Sequence, residues 1–128
     1  ERLYHACVDR VVTLGCEIVA IDFAPFKEAA RLLYAGPWVA ERLAAIRDFA
    51  RGHAEAMDST VREIVLGAEP LATVDAFNAF YRLADLTRTA EAEWQKMDAL
   101  LLPTTGTTYK IADVLANPIA LNSNLGIY

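Results

Sequence analysis

The chain has 128 residues, of which 55% are hydrophobic and 23% charged; this is the make-up of one folded body and excludes a disordered linker. Acidic residues outnumber basic ones 17 to 12, a net charge of −5, which argues against a nucleic-acid partner whose phosphates would attract Lys and Arg. No apolar run approaches the roughly 18 residues of a membrane span, and no apolar leader follows Glu1-Arg2, so a cytoplasmic location without membrane contact is expected.

Six helical stretches are predicted. In residues 2–13, Leu3, Cys7, Val11 and Val12 fall on one side of a helix that Gly15 ends. Residues 17–21, Glu-Ile-Val-Ala-Ile, are short and β-branched and read as a buried strand. Pro25 suits the first turn of a helix through Leu33, where its missing N–H costs nothing. After Gly36-Pro37 a second helix is expected over 38–52. Thr60-Val-Arg-Glu63 has the capping-box spacing, so a short helix should run over 60–66 and stop at Gly67. Thr73 should cap the longest helix, 74–97, with Phe77, Phe80, Leu83, Leu86, Ala90, Trp94 and Met97 forming its apolar stripe. Residues 99–102 read as a second buried strand ended by Pro103, followed by the Thr104–Thr108 loop. A helix over 110–116 stops before Pro118, and 119–124 can add a turn.

The fold class is therefore mainly α, with two short strands at about 17–21 and 99–102. Both are apolar throughout, as in a sheet covered on both faces. Two strands do not make such a sheet, so the chain reads as a segment of a larger body. The apolar tail Leu125-Gly-Ile-Tyr128 points the same way. On this reading the strand edges lack partners and the isolated chain should associate. The alternative is a self-contained helical bundle with one small ribbon.

Residues able to do chemistry are few. No G-x-S-x-G elbow, Walker loop, dinucleotide fingerprint or H-E-x-x-H occurs. Cys7 and Cys16 read as small buried apolar residues of a reduced compartment, because their spacing is not C-x-x-C and only His5 and His53 could join them in a metal site. Lys27, Lys96 and Lys110 have no Gly/Ser-rich neighbour and read as surface residues. Catalytic residues, metal and cofactor are accordingly all absent from the expectation.

Arg42 is the anomaly. With Val39 at zero on a helical wheel, Val39, Leu43, Ile46 and Ala50 fall between about −20° and +40°, Phe49 and Trp38 near −80° and −100°, and Arg42 near −60°. The other charges of this helix, Glu41, Arg47, Asp48 and Arg51, point elsewhere. A guanidinium stays charged, so one on an apolar face requires an anion. A structural ion pair, snorkelling at a rim, and a substrate carboxylate all satisfy that requirement. Tyr34, eight residues earlier at the end of the preceding helix, could bring a phenol to the same space across the Gly-Pro turn.

Three runs carry a resemblance: Ile21-Asp-Phe-Ala-Pro-Phe26; Leu32-Leu-Tyr-Ala-Gly-Pro-Trp-Val-Ala-Glu-Arg42; and Leu102-Pro-Thr together with Ala112 through Tyr128, Ala-Asp-Val-Leu-Ala-Asn-Pro-Ile-Ala-Leu-Asn-Ser-Asn-Leu-Gly-Ile-Tyr. They resemble the allophanate hydrolase branch of the amidase-signature family, while residues 53–98 match it only as a helical pattern. The resemblance implies a larger α/β amidase-signature fold, of which residues 1–128 would be a single, mostly helical segment from the later part of the amidase domain. It implies an amidohydrolase converting allophanate (urea-1-carboxylate) to ammonia and carbon dioxide in urea degradation, after a biotin-dependent urea carboxylase. The family's Ser–cis-Ser–Lys machinery lies outside this sequence, so the chain alone should be inactive. The Tyr and Arg that bind substrate in this family correspond to Tyr34 and Arg42. Expected partners are the substrate allophanate and the remainder of the amidase domain, and a homodimer is compatible with the resemblance. Two other readings stand beside it: a different amidase-signature enzyme, such as a general amidase or glutamyl-tRNA amidotransferase subunit, and a stand-alone helical protein-interaction module.

Overall fold

A computed structural model describes residues 1–125, with the side chains of Tyr34 and Ala35 left out of the description. Within the described residues the chain is helical: α1 (Arg2–Thr13), α2 (Ala24–Ala35), α3 (Val39–Gly52), α4 (Ser59–Leu66), α5 (Thr73–Trp94), α6 (Ile111–Ala116) and α7 (Pro118–Leu125), with one 3-10 turn at Ala54–Ala56. All six predicted helices are present, and the extra turn expected at 119–124 is α7. The last three residues of the apolar tail, 126–128, lie outside the described residues.

The two strands are not formed. Residues 16–23 and 98–110 hold no regular secondary structure, apart from bends and turns, and most of 17–20 is exposed rather than buried. Ile18 and Val19 are about half exposed, as is Leu101. The physical reason is that a strand exists only through its ladder, and among the described residues no other extended segment pairs with either run. Their β-branched and apolar composition is real, but the partner backbone is missing. Gly15, at φ +90°, turns the chain out of α1 into the first of these segments, a conformation that favours glycine.

Two helix pairs hold the body together. α3 packs on α4, where Leu43, Val65 and Ala68 are buried and Val39, Ala40 and Leu66 close around them. α2 lies along α5, whose 22 residues span about 33 Å. Arg51 reaches from the end of α3 to Glu69 (2.9 Å), and Arg82 of α5 grips Glu28 of α2 through two bonds of 2.7 and 2.6 Å. Both pairs are about half exposed, which limits each to about 1 kcal/mol or less.

Several local expectations are corrected. Asp58, not Thr60, caps α4: its carboxylate accepts from the Thr60 and Val61 amides at 2.9 and 3.1 Å. Thr73 is the first residue of α5 rather than its cap, and Asp75 folds back to accept from the Ala72 amide at 2.9 Å. In both cases a carboxylate sits at the positive end of the helix and accepts its free amides. Of the expected α5 stripe only Leu86 is buried, joined by Ala79 outside it, while Phe77, Phe80 and Trp94 are 55%, 57% and 43% exposed, because α2 covers only one side of this long helix. Cys7 and Cys16 are free and exposed, not buried; α1, which carries the first, buries none of its residues.

The molecule exposes 9602 Å². A compact monomer of its 14.1 kDa would expose about 6,700 Å². No large side chain among the described residues is fully buried. This is the surface of a segment whose apolar faces are meant for contacts that the chain itself does not make.

Candidate functional site

The candidate site lies at the α2–α3 junction. α2 ends at Ala35, Gly36 is extended at φ −102° and ψ −171°, and α3 begins at Val39 after Pro37 and Trp38. A side chain at position 36 would run its Cβ into the Leu32 carbonyl oxygen, so the reversal from α2 into α3 requires glycine here. The Ala40 and Glu41 amides donate to the Pro37 and Trp38 carbonyls at 3.0 and 3.1 Å, which starts α3 immediately after the turn. The Trp38 ring meets Phe80 of α5 edge-on, with centroids 5.1 Å apart, and so ties this corner to the long helix.

Arg42 stands in the first turns of α3 and is exposed. The packed face of α3 is the Val39–Leu43–Ala50 side, and the other flank of the apolar arc faces outward. On that outer flank Ile46 and Phe49 are 37% and 52% exposed. Ile46 leaves helical geometry at φ −127° and ψ 16°, kinking α3 one turn beyond Arg42. Among the described residues Arg42 has no carboxylate within ion-pair distance, a state it shares with Arg47 of the same helix, whereas Arg51, Arg82 and Arg88 each have one. The wheel therefore put Arg42 correctly among apolar residues, but this flank is not a face that the chain buries. Tyr34 is in the last turn of α2, and its side chain lies outside the described residues.

One charged residue that sequence reasoning passed over is buried. Glu93 of α5 is only 9% exposed. Its Oε2 accepts from the Asp22 amide at 3.1 Å, and its Oε1 from Lys96 Nζ at 2.7 Å. Asp22 in turn accepts from the Ala24 amide at 2.9 Å, an Asx turn that opens α2. The bond from Lys96 and then the Asp22 amide hold the Glu93 carboxyl below its ordinary range, against a smaller opposing push from burial. A signal was available: Ala79, Leu86 and Glu93 recur every seven residues, so Glu93 continues the buried stripe. Lys96 is half exposed, in keeping with a surface residue, but it is engaged with Glu93.

The described residues contain no cluster of His, Cys, Asp and Glu arranged to hold a metal ion, and no described helix is long and apolar enough to cross a membrane. The helical pairs and the open apolar flanks are those of a helical segment of a larger protein.

The comparisons agree. No protein-family model matches the chain. Urea amidolyase of Saccharomyces cerevisiae is 32% identical over 128 residues, which is 98% of this chain and 7% of that protein. Urea amidolyase of Lachancea kluyveri is 31% identical over 129 residues, again 7% of its length. The crystal structure of the Kluyveromyces lactis urea amidolyase superposes with a TM-score of 0.94 at 34% identity, covering 99% of this chain and 8% of that one. A Kluyveromyces lactis allophanate hydrolase superposes with a TM-score of 0.93, also at 34% identity, with 21% of its chain covered. The homologues of this chain are thus urea amidolyase and allophanate hydrolase, and it corresponds along its whole length to one part of each.

Proposed function

We propose that this chain is the substrate-recognition segment of an amidase domain whose parent protein hydrolyses allophanate to ammonia and carbon dioxide in urea degradation, in the cytoplasm. Residues 1–128 form one segment of that domain, and the rest of a larger α/β amidase-signature fold supplies the Ser–cis-Ser–Lys machinery. Arg42 holds the substrate carboxylate and the Tyr34 hydroxyl donates beside it. The observation that carries this is the placement of Arg42: a guanidinium beside the exposed apolar Ile46 and Phe49, in the first turns of the helix that follows a turn requiring glycine, with no described carboxylate within ion-pair distance. Allophanate is a urea bearing a carboxylate. A planar guanidinium can take that carboxylate through two parallel hydrogen bonds, which a lysine cannot match.

The test is Arg42→Ala in the intact parent enzyme, measured on allophanate and on biuret, a neutral analogue that cannot make the pair. Losing one partner of a desolvated charge pair costs about 2–5 kcal/mol, on the order of 30- to several-thousand-fold in kcat/KM. The loss should fall on allophanate and spare biuret. An equal loss on both, with an early thermal melt, would make Arg42 a structural residue and remove the reading.

A further inference from the structure

We propose that Glu93 is a positioning residue for substrate recognition: by holding the Asp22 amide it fixes the start of α2 on α5, and the rigid helix carries that register to Tyr34 and the Gly36-Pro37 turn. The inference rests on the reading of Tyr34 and Arg42 as the carboxylate-binding pair.

Glu93 is the one charged side chain buried among the described residues, and both of its oxygens are used. One takes the amide of Asp22, 71 residues away in sequence, and the other takes Lys96. The Asp22 carboxylate then caps the entry to α2 through the Ala24 amide. Phe26 of α2 meets Trp94, the neighbour of Glu93, edge-on with ring centroids 6.0 Å apart. Further along, Glu28 is gripped by Arg82. α2 is therefore fastened to α5 in its first half, at two polar points with an aromatic contact between them. Its second half runs to Tyr34 and the glycine turn, with no described polar contact to α5. A 12-residue helix of about 18 Å is stiff, so a slip or tilt at the fastened end moves the free end. A displacement of about 1 Å at a recognition group is enough to cost a large factor in rate.

The chemistry of Glu93 suits fastening rather than catalysis. Its partners are a backbone amide and a lysine, neither of them a reacting group. Removing its carboxylate leaves the part-buried Asp22 amide without its acceptor and frees the segment that leads into α2.

The experiment uses the intact parent enzyme with Glu93→Ala, Glu93→Gln and Arg82→Ala, each read as KM and kcat on allophanate and on biuret, beside a thermal melt. Expected for Glu93→Ala is a KM for allophanate raised about tenfold with kcat within about twofold, since alignment of the binding pair is lost and the catalytic machinery is not touched. Glu93→Gln keeps an amide oxygen for Asp22 and should recover most of that loss. Arg82→Ala loosens the second fastening and should raise the same KM less. An unchanged KM in Glu93→Ala overturns the proposal. So does an equal fall in activity on both substrates that Glu93→Gln fails to rescue. If Glu93→Ala does not fold, Arg82→Ala decides: its partly exposed pair is dispensable for folding, and an unchanged KM there overturns the proposal as well. Arg42→Ala run alongside separates the layers. If Arg42→Ala leaves allophanate turnover intact, the underlying reading fails and this proposal with it; if Arg42→Ala acts and the Glu93 and Arg82 variants do not, only the proposal fails.

Discussion

Arg42 and Glu93 sit in opposite circumstances on similar helices. Each is a charge within an apolar stripe. Glu93 is covered by the start of α2 and has both oxygens satisfied inside the chain; Arg42 is exposed and has no described carboxylate partner. The comparison separates two meanings of a charge on an apolar face. A satisfied one fixes structure, because its partners are supplied by the fold. An unsatisfied one on an open flank is available to something the chain does not contain. The same distinction runs through the molecule at large: the α2–α5 and α3–α4 pairs are packed, while α1, α6 and α7 bury no residue among those described.

The largest test of that distinction is to move Arg42 without moving the fold. Beyond the alanine variant, Arg42→Lys keeps the charge and loses the fork, so it should recover only part of the kcat/KM on allophanate. In the isolated chain neither change should shift stability by more than about 0.5 kcal/mol, because the side chain is exposed and unpaired among the described residues. A clear loss of stability in a denaturant titration would erase the contrast with Glu93.

Leu86→Ala probes the packed side. Leu86 is 4% exposed on the face of α5 that receives α2, so truncation should cost about 2–5 kcal/mol of stability. In the intact enzyme it should reduce both substrates alike at temperatures near the melt, the opposite signature from Arg42. A variant melting like the parent would show that this interface does not hold the segment together.

Next in size is Tyr34→Phe, which removes one hydrogen bond to a charged group and should cost about 1.5–3 kcal/mol in kcat/KM on allophanate. Biuret turnover should change less. Equal kinetics on both substrates would leave Arg42 acting without the phenol.

Asp58→Ala tests a feature unconnected with either charge. It removes the acceptor for two amides at the start of α4 and should cost about 1 kcal/mol of stability. Thr60→Ala should cost less, because its hydroxyl is not the cap; the reverse order in thermal melts would restore the capping box.

The smallest effect is on pH. The Glu93 carboxyl is lowered by Lys96 and by the Asp22 amide, so the folded state binds its proton less readily than the unfolded one. Its contribution to stability is therefore present above the unfolded carboxyl value of about 4.3 and is lost as pH falls through the lower folded value. Glu93→Gln should flatten the acid limb of a stability–pH curve below about pH 4.3. An acid limb identical in the two proteins would show that the buried carboxylate is not coupled to folding.

Much of this was readable from residues alone. Helix positions followed from apolar spacing and from Gly and Pro, since helical hydrogen bonds are local and a helix needs no distant partner. Arg42 stood out because the helical repeat places it among apolar neighbours, whatever packs there. The Leu32–Arg42 and Ala112–Tyr128 runs pointed to the allophanate hydrolase branch, and the homologues are allophanate hydrolase and urea amidolyase. What only the tertiary structure decided was partnership. Ile18, Val19 and Leu101 have the composition of strands but no ladder among the described residues, because strand pairing is non-local. Phe77 and Phe80 have helical spacing but lie where α2 does not reach. Glu93 is buried because residue 22 arrives there from 71 positions away. Local periodicity specifies which face of a helix is apolar; only the arrangement of the other elements determines whether that face is covered, and by what.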